Sequence, residues 1–292
     1  MILGISSYTF TWSVGVDGFL PATPWNEIDL LNKTEELGVS CLQIADNLPL
    51  HKLSDERLEN LINIAKQKNI RLEAGSRGMT QENLQRYISI AEKIGSPILR
   101  FVIDGNNFTP EIKEIISIIK EALSELKKKN IILVIENHDR FKAREFEEII
   151  QQVGSEQVGI CLDSVNSMGA GEGIETITTV LAPYTVNLHV KEFIVERHSH
   201  KMGFTIEGRP VGEGQLPLEW MLRQLTWKCQ SAILEQWTPP EKTIEQTMQK
   251  EMEWAEKSIK YLNLHYSSNL IKMNANAGYP DLGKLNFGPQ KF

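Results

Sequence analysis

Short apolar runs alternate with amphipathic segments along nearly the whole chain. The apolar runs predict strands at 2–8, 41–46, 70–75, 97–104, 131–138, 158–165, 185–193 and 231–237. Apolar residues recur at helical spacing between them and predict helices at 24–37, 54–68, 80–94, 110–129, 142–153, 173–182, 217–229 and 243–264. Ser54 and Thr80 stand where helix N-caps are expected, and Gly38 and Gly95 stand just past helix ends.

Eight strand–helix units in succession predict an α/β fold with a parallel sheet that closes into a (β/α)8 TIM barrel. An open doubly wound sheet is the alternative, but it would carry a glycine-rich phosphate loop after its first strand, which "GISSYTFTWS" lacks. We expect one barrel domain over 1–266. The segment 267–292 is rich in Asn, Gly and Pro, and it predicts an irregular C-terminal extension that packs on the barrel or is partly disordered.

Composition narrows the function classes. The chain has 292 residues, of which 41% are hydrophobic and 24% charged, as in soluble globular proteins. Its formal net charge is −7 and its basic residues are spread out, which argues against nucleic-acid binding. No apolar stretch is long enough to span a membrane, and the N-terminus resembles a strand rather than a signal peptide, so we expect a cytoplasmic protein. The three cysteines are widely separated and predict buried free thiols.

Lone polar residues stand at the ends of four successive predicted strands. They are Glu136 in "VIENH", Asp163 in "CLDSVN", His189 in "NLHVKEF" and Glu235 in "ILEQW". Each alone is explained equally well as a hydrogen-bonded polar residue at a strand end. Together, at the C-terminal end of a barrel where functional residues gather, they place three carboxylates in one pocket. Such a cluster needs a cation or protons to neutralise it.

Three carboxylates and one imidazole form a ligand set for one divalent metal ion. An oxygen-rich set with one nitrogen suits Mn²⁺ best, with Mg²⁺, Co²⁺ and Zn²⁺ as alternatives. Glu136 and Asp163 are separated by one strand–helix unit, as are Asp163 and His189, whereas a longer loop precedes Glu235. We expect this long loop to cover a substrate.

Five further residues are candidates for substrate binding. Lys191 and His138 each lie two positions after a predicted ligand and so share its face of the strand, although a solvent-facing Lys191 and a loop histidine are equally simple interpretations. Arg209 belongs to the charged segment 194–214, which is either an anion clamp or a solvated loop. Trp12 and Trp237 could stack on a sugar face or pack beneath loops.

The ordered motifs resemble a known family. "VIENH", "CLDSVN", "LHVKEF", "GRPVGEG" and "ILEQW" are similar to those of the xylose isomerase-like barrels, the sugar phosphate isomerase/epimerase superfamily. The resemblance implies that Glu136, Asp163, His189 and Glu235 bind one divalent metal ion, and that the two glutamates act as acid and base. The chain departs from the pattern of keto-sugar epimerases at Asn166, Val195 and Gln43, where relatives tend to have His, Arg and Glu.

The leading functional hypothesis is a metal-dependent isomerase or epimerase of a small keto-sugar, sugar phosphate or sugar acid. Metal chelation of a carbonyl and a neighbouring hydroxyl would stabilise an enediolate, and Glu136 and Glu235 would exchange protons with it. The alternative is a lyase using the same site, either a dehydratase or a decarboxylase of an oxo-sugar acid such as 3-oxo-isoapionate. "SYTFTWSVGV", "LQIADNLPL" and "ILEQWTPPE" resemble such a decarboxylase subgroup. A non-catalytic sugar-binding barrel is a more remote alternative, and association into homo-oligomers is left open.

Overall fold

Eight parallel strands close into a barrel in the computed structural model, which describes residues 1–105 and 107–271. The predicted (β/α)8 TIM barrel is confirmed. The barrel strands are β1 (Ile2–Ser6), β2 (Cys41–Ile44), β3 (Arg71–Arg77), β4 (Ile98–Val102), β5 (Ile132–Glu136), β6 (Val158–Asp163), β7 (Thr185–Val190) and β10 (Ser231–Leu234). Neighbours along the barrel wall follow the order β1-β10-β7-β6-β5-β4-β3-β2.

Helices follow the barrel strands and form the outer layer. A four-residue helix, α1 (Thr11–Val14), follows β1 and was not predicted. Most of the others lie within three residues of their predicted limits, but the helix predicted at 217–229 ends at Gln224 and the one predicted at 243–264 continues to Ile271. The caps are as expected: the side chain of Thr80 accepts from the Asn83 amide, and Gly95 ends a helix in the left-handed conformation. They are α2 (Glu27–Glu36), α3 (Asp55–Gln67), α4 (Gln81–Ile94), α5 (Ile112–Lys128), α6 (Ala143–Val153), α7 (Ile174–Leu181), α8 (Leu218–Gln224) and α9 (Ile244–Ile271).

The barrel strands are buried on both faces, as the continuous apolar runs predicted. Every residue of β2, β4, β6, β7 and β10 is buried. Outward-facing residues pack against the helices, whereas several inward-facing positions are polar, including Gln43, Glu73 and Asn187. These buried polar side chains bond to one another beneath the C-terminal end of the barrel. A polar interior of this kind is stable only where its groups are paired.

The segment predicted as a long charged loop at 194–214 folds in large part as a hairpin. Strands β8 (Phe193–Arg197) and β9 (Phe204–Gly208) pair in antiparallel register outside the barrel. Gly208 lies directly against the backbone of Trp237, where a Cβ would come within 2.0 Å of the tryptophan carbonyl oxygen. Only glycine permits this approach, which fixes the base of the hairpin beside the end of β10.

The C-terminal helix continues beyond the predicted barrel domain. α9 runs to Ile271, past the expected start of the extension at 267, and the remainder of that predicted extension, 272–292, lies outside the described residues. Cys41, Cys161 and Cys229 are free and buried, as predicted. None of the described helices combines the length and apolar character that a membrane span requires.

Candidate metal centre

The structure brings the four predicted strand-end residues together at the C-terminal end of the barrel. Glu136, Asp163, His189 and Glu235 are at most 2% exposed. Nδ1 of His189 lies 3.5 Å from a carboxylate oxygen of Glu136, 3.5 Å from one of Glu235 and 3.8 Å from one of Asp163. Strand register causes this convergence, because β6 pairs Asp163 with His189, and β10 pairs Ile233, two positions before Glu235, with the same histidine.

Two buried cations lie among these carboxylates. On β4, Arg100 donates from Nε to Oε2 of Glu136, and its Nη1 donates to Oδ1 of Asp46 over 2.9 Å. Lys191, just past β7, places Nζ 2.9 Å from Asp163 and 3.0 Å from Glu235. Each glutamate is therefore paired with its own cation.

The charges shift the pKa values of these groups in opposite directions. Burial alone would raise the pKa of Glu235, but the neighbouring His189, Lys191 and Arg100 outweigh it and lower the pKa to about 2. Burial would lower the pKa values of Lys191 and Arg100, yet the neighbouring carboxylates raise both well above their ordinary values. Glu235, Lys191 and Arg100 are thus held in their charged forms at neutral pH.

Neighbouring side chains fix the carboxylates in place. Asn166 donates from Nδ2 to Oε1 of Glu136 over 2.9 Å, and Ser6 donates to Oε1 of Glu235 over 2.8 Å. Oδ1 of Asp163 accepts from the amides of Val165 and Asn166 at the turn after β6. The oxygens that face Nδ1 of His189 are Oε2 of Glu136, Oδ2 of Asp163 and Oε1 of Glu235.

The donor set fits a divalent metal ion. Nδ1 of His189 is fully buried and has no hydrogen-bond partner within the described part of the chain, which is costly unless a cation is bound there. Two ligand atoms that each lie about 2.1 Å from a shared ion are about 3.0 to 3.5 Å apart, close to the separations measured around Nδ1. Ligand atoms of Asp163, His189 and Glu235 all lie within 4.8 Å of one another.

A cavity of about 270 Å³ opens onto this cluster and is large enough for a small sugar or sugar acid. Three of the five residues predicted to bind substrate line it: His138, Lys191 and Trp237. Its other lining residues are Tyr8, Thr11, Asp46, Arg77, Arg100, Val102, Glu136, Asn166, Glu235 and Gln236.

The structure does not place Trp12 and Arg209 in the cavity lining. The indole of Trp12 donates to the carbonyl oxygen of Thr238 over 2.8 Å and packs edge-on against Phe19. The guanidinium of Arg209 bonds to Glu207 at 3.2 Å and lies 3.5 Å from Glu196 on the hairpin. Both side chains are therefore engaged in loop structure rather than directed at the cluster.

The sequence analysis missed three cavity residues that carry charge: Asp46, Arg77 and Arg100. The sequence does carry a signal for Arg100, since it is the one basic residue in the run "PILRFVID" and has apolar neighbours on both sides. A cation in a buried strand needs a partner, and the partners Glu136 and Asp46 lie 36 and 54 residues away along the chain. The identity of these two partners of Arg100 follows only from the tertiary structure of the closed barrel.

Comparison with known proteins gives relatives of several activities. A 3-oxo-isoapionate decarboxylase from Pectobacterium atrosepticum is 29% identical over 264 residues, which cover 90% of this chain and 95% of the relative. A crystal structure of D-psicose 3-epimerase in the presence of D-fructose matches with a TM-score of 0.64 at 17% identity, covering 90% of this chain and 99% of the other. A xylose isomerase-like TIM barrel protein from Mycobacterium smegmatis in complex with magnesium matches with a TM-score of 0.63 at 15% identity, covering 89% and 97%.

A family model also matches most of the chain. The model described as "Xylose isomerase-like TIM barrel" matches residues 31–258. That range runs from α2 to α9 and includes the strands that carry all four clustered residues. This chain therefore belongs to the family of xylose isomerase-like TIM barrels.

Proposed function

We propose that the protein is a divalent-metal-dependent decarboxylase that acts on a small oxo-sugar acid. The observation that carries this proposal is the pairing of each glutamate with a buried cation: Glu136 with Arg100, and Glu235 with Lys191. The similarity to a 3-oxo-isoapionate decarboxylase over 95% of that protein's length supports the same reaction and makes 3-oxo-isoapionate the first substrate to test.

The ion pairs favour decarboxylation over epimerisation because the two reactions need different groups. Epimerisation begins when a carboxylate removes a proton from carbon, which requires a base with affinity for that proton. Here the pKa of Glu235 is about 2, which makes it a poor base, and both carboxylate oxygens of Glu136 already accept hydrogen bonds, from Arg100 and from Asn166. Decarboxylation requires no base, since the electron pair comes from the bond to the departing carboxylate.

The residues that would hold the metal ion are Glu136, Asp163, His189 and Glu235. A divalent ion bound there supplies positive charge that stabilises the negative charge developing on the substrate's carbonyl oxygen. The bond between the carboxylate carbon and its neighbour breaks, CO₂ leaves, and the electron pair moves into the adjacent carbonyl group.

The carbanionic carbon that remains must then take a proton. Lys191 lines the cavity and carries protons on Nζ, within 3.0 Å of the Glu235 carboxylate. The carbanionic carbon is a stronger base than an amine, so we assign to the Lys191 ammonium the transfer of one proton to that carbon, after which water restores the ammonium.

Arg77 is the cation best placed to receive the substrate carboxylate. Its guanidinium lines the cavity, is 39% exposed and lies 4.0 Å from Asp46, a looser pairing than that of Arg100. A guanidinium with free donors can bind a carboxylate in a bidentate manner.

Product analysis tests the proposal. The purified protein is incubated with 3-oxo-isoapionate and Mn²⁺ or Mg²⁺ in D₂O, and CO₂ release is followed together with deuterium incorporation. We expect equimolar CO₂ and product, with one deuterium at the former carboxyl-bearing carbon. An epimeric product formed without CO₂ would contradict the proposal.

An epimerase remains the second candidate, and one geometric observation favours it. Carboxylate oxygens of Glu136 and Glu235 both lie 3.5 Å from Nδ1 of His189, so the two glutamates could face a bound keto-sugar. This function predicts exchange of the proton next to the carbonyl of D-fructose or D-psicose with solvent deuterium, without any loss of carbon.

A further inference from the structure

We propose that Gln43 is a positioning residue that fixes the hydrogen of His189 on Nε2 and thereby leaves Nδ1 free as the metal-binding nitrogen. This inference rests on the metal centre of the proposed function and adds to it a buried hydrogen-bond network that lies outside the predicted ligand set. The network links Arg71 to Glu73, Glu73 to Gln43 and Gln43 to His189.

The amide nitrogen of Gln43 is committed to two acceptors. Nε2 donates to Oε2 of Glu73 over 3.0 Å and to Oδ1 of Asn187 over 3.2 Å. Oε1 of Glu73 accepts from Arg71, and a carboxylate in such an ion pair can only accept. Both amide hydrogens of Gln43 are thus directed at acceptors.

The second acceptor, Oδ1 of Asn187, also accepts from the thiol of Cys161, while Nδ2 of Asn187 donates to Oγ of Ser231 over 2.7 Å. A hydroxyl can donate or accept, so the Glu73 carboxylate is the group that fixes the Gln43 amide. A flipped Gln43 amide would place its oxygen against that carboxylate. The flipped state is strongly disfavoured in a fully buried site, where no water can compensate.

The orientation of Gln43 dictates the tautomer of His189. With its nitrogen committed to Glu73 and Asn187, Gln43 presents Oε1 to Nε2 of His189 at 2.8 Å. An amide oxygen can only accept, so Nε2 must carry the hydrogen. In the neutral imidazole this leaves a bare lone pair on Nδ1, the atom that faces Glu136, Asp163 and Glu235.

Nδ1 itself supports the assignment. It has no hydrogen-bond partner within residues 1–105 and 107–271, although three carboxylates lie within 3.8 Å. A group outside the ligand set that orients a metal-binding histidine in this way typically changes metal affinity 10- to 100-fold when it is removed.

Two readouts that do not depend on turnover test the proposal. Long-range ¹H–¹⁵N spectra of histidine-labelled protein report the tautomer, with the His189 signals assigned from their loss in His189→Asn and Zn²⁺ as the diamagnetic metal. Calorimetric titration with Mn²⁺ reports affinity. We expect Nε2–H in the wild type, and a 10- to 100-fold loss of Mn²⁺ affinity with mixed tautomers in Gln43→Leu. Ser96→Ala is the control. It removes a buried hydroxyl that accepts from the Ala74 amide and donates to the Ile98 carbonyl oxygen, and its Mn²⁺ affinity should stay within twofold of wild type.

An exchange variant separates positioning from general destabilisation. Gln43→Glu alone places two carboxylates side by side and should weaken Mn²⁺ binding. The double variant Gln43→Glu/Glu73→Gln restores one carboxylate and one amide, keeps an acceptor against Nε2, and should recover affinity to within fivefold of wild type.

Two results would overturn the inference: an Nδ1–H tautomer in the wild type, or wild-type Mn²⁺ affinity in Gln43→Leu. If Gln43→Leu does not fold, the tautomer of His189 in the wild-type spectrum and the Mn²⁺ affinity of the double variant still test the role of Gln43. Absence of CO₂ release from any oxo-sugar acid would count against the proposed reaction instead, since neither readout involves substrate.

Discussion

Arg100 and Glu136 form an ion pair across neighbouring strands, with Nε of the arginine bonded to Oε2 of the glutamate and both residues at most 3% exposed. The same guanidinium reaches Asp46, at the start of the connection between β2 and α3. A buried charge of this kind is stable only with its partners, and here one partner is also a candidate metal ligand. The pair therefore links the stability of the barrel to the chemistry of the site.

Removal of this cation should destabilise the fold. Arg100→Met leaves the Glu136 and Asp46 carboxylates without their cation, and we expect the free energy of unfolding to fall by about 3 kcal/mol, measured by urea denaturation without added metal. Arg144→Met breaks an exposed pair with Glu147 and should cost at most about 1 kcal/mol. Equal losses in the two variants would show that burial does not govern the contribution of Arg100.

Metal removal should abolish turnover of the oxo-sugar acid. Dialysis against a chelator is expected to eliminate CO₂ release, and added Mn²⁺ or Mg²⁺ should restore it, because the developing negative charge is otherwise uncompensated. The His189→Ala variant should bind Mn²⁺ at least 100-fold more weakly in titrations. Equimolar metal should not restore CO₂ release by this variant. Undiminished activity after exhaustive chelation would exclude a metal-dependent reaction.

Loss of the ammonium at position 191 should slow the chemical step. Lys191→Met retains the length of the side chain but offers no proton, and we expect kcat to fall at least 100-fold, with a smaller effect on KM. His138→Gln, at the cavity wall, should mainly change KM. CO₂ release at the wild-type rate in Lys191→Met would mean that the proton comes from another group or from water.

Buried Glu251 should make stability depend on pH. It accepts from the amides of Trp12 and Ser13, yet burial raises its pKa from 4.5 to about 7. A raised folded-state pKa means that the native state binds the extra proton, so this contribution to stability is full below pH 4.5 and is lost as pH rises through about 7. The change is on the order of 3 kcal/mol.

The comparison of wild type with Glu251→Gln isolates that contribution. The glutamine amide does not titrate. As pH rises from 4.5 to 7.5, the unfolding free energy of the wild type, measured by urea denaturation, should therefore fall steadily relative to that of the variant. Glu256→Gln, at an exposed site on α9, should show no such trend. A difference that stays constant over this range would contradict a raised pKa.

The sequence predicted the architecture well because its signals are local. Apolar runs with helical segments between them define eight strand–helix units, and most observed boundaries lie within a few residues of the predicted ones. The four strand-end residues could be selected for the same reason: each interrupts or ends a buried run, and parallel strands in a closed barrel bring such ends to one rim. The hairpin of β8 and β9 was missed because its strands are short, charged and half exposed.

The sequence by itself determined that Glu136, Asp163, His189 and Glu235 would meet, since strand periodicity and strand order suffice for that. Only the tertiary structure decided that Arg100 pairs with Glu136 and Lys191 with Glu235, that Gln43 holds His189, and that Trp12 and Arg209 lie outside the cavity. The physical reason is that a buried polar group must find a partner within about 3 Å. Which partner that is depends on the stagger of strands that are far apart in the chain.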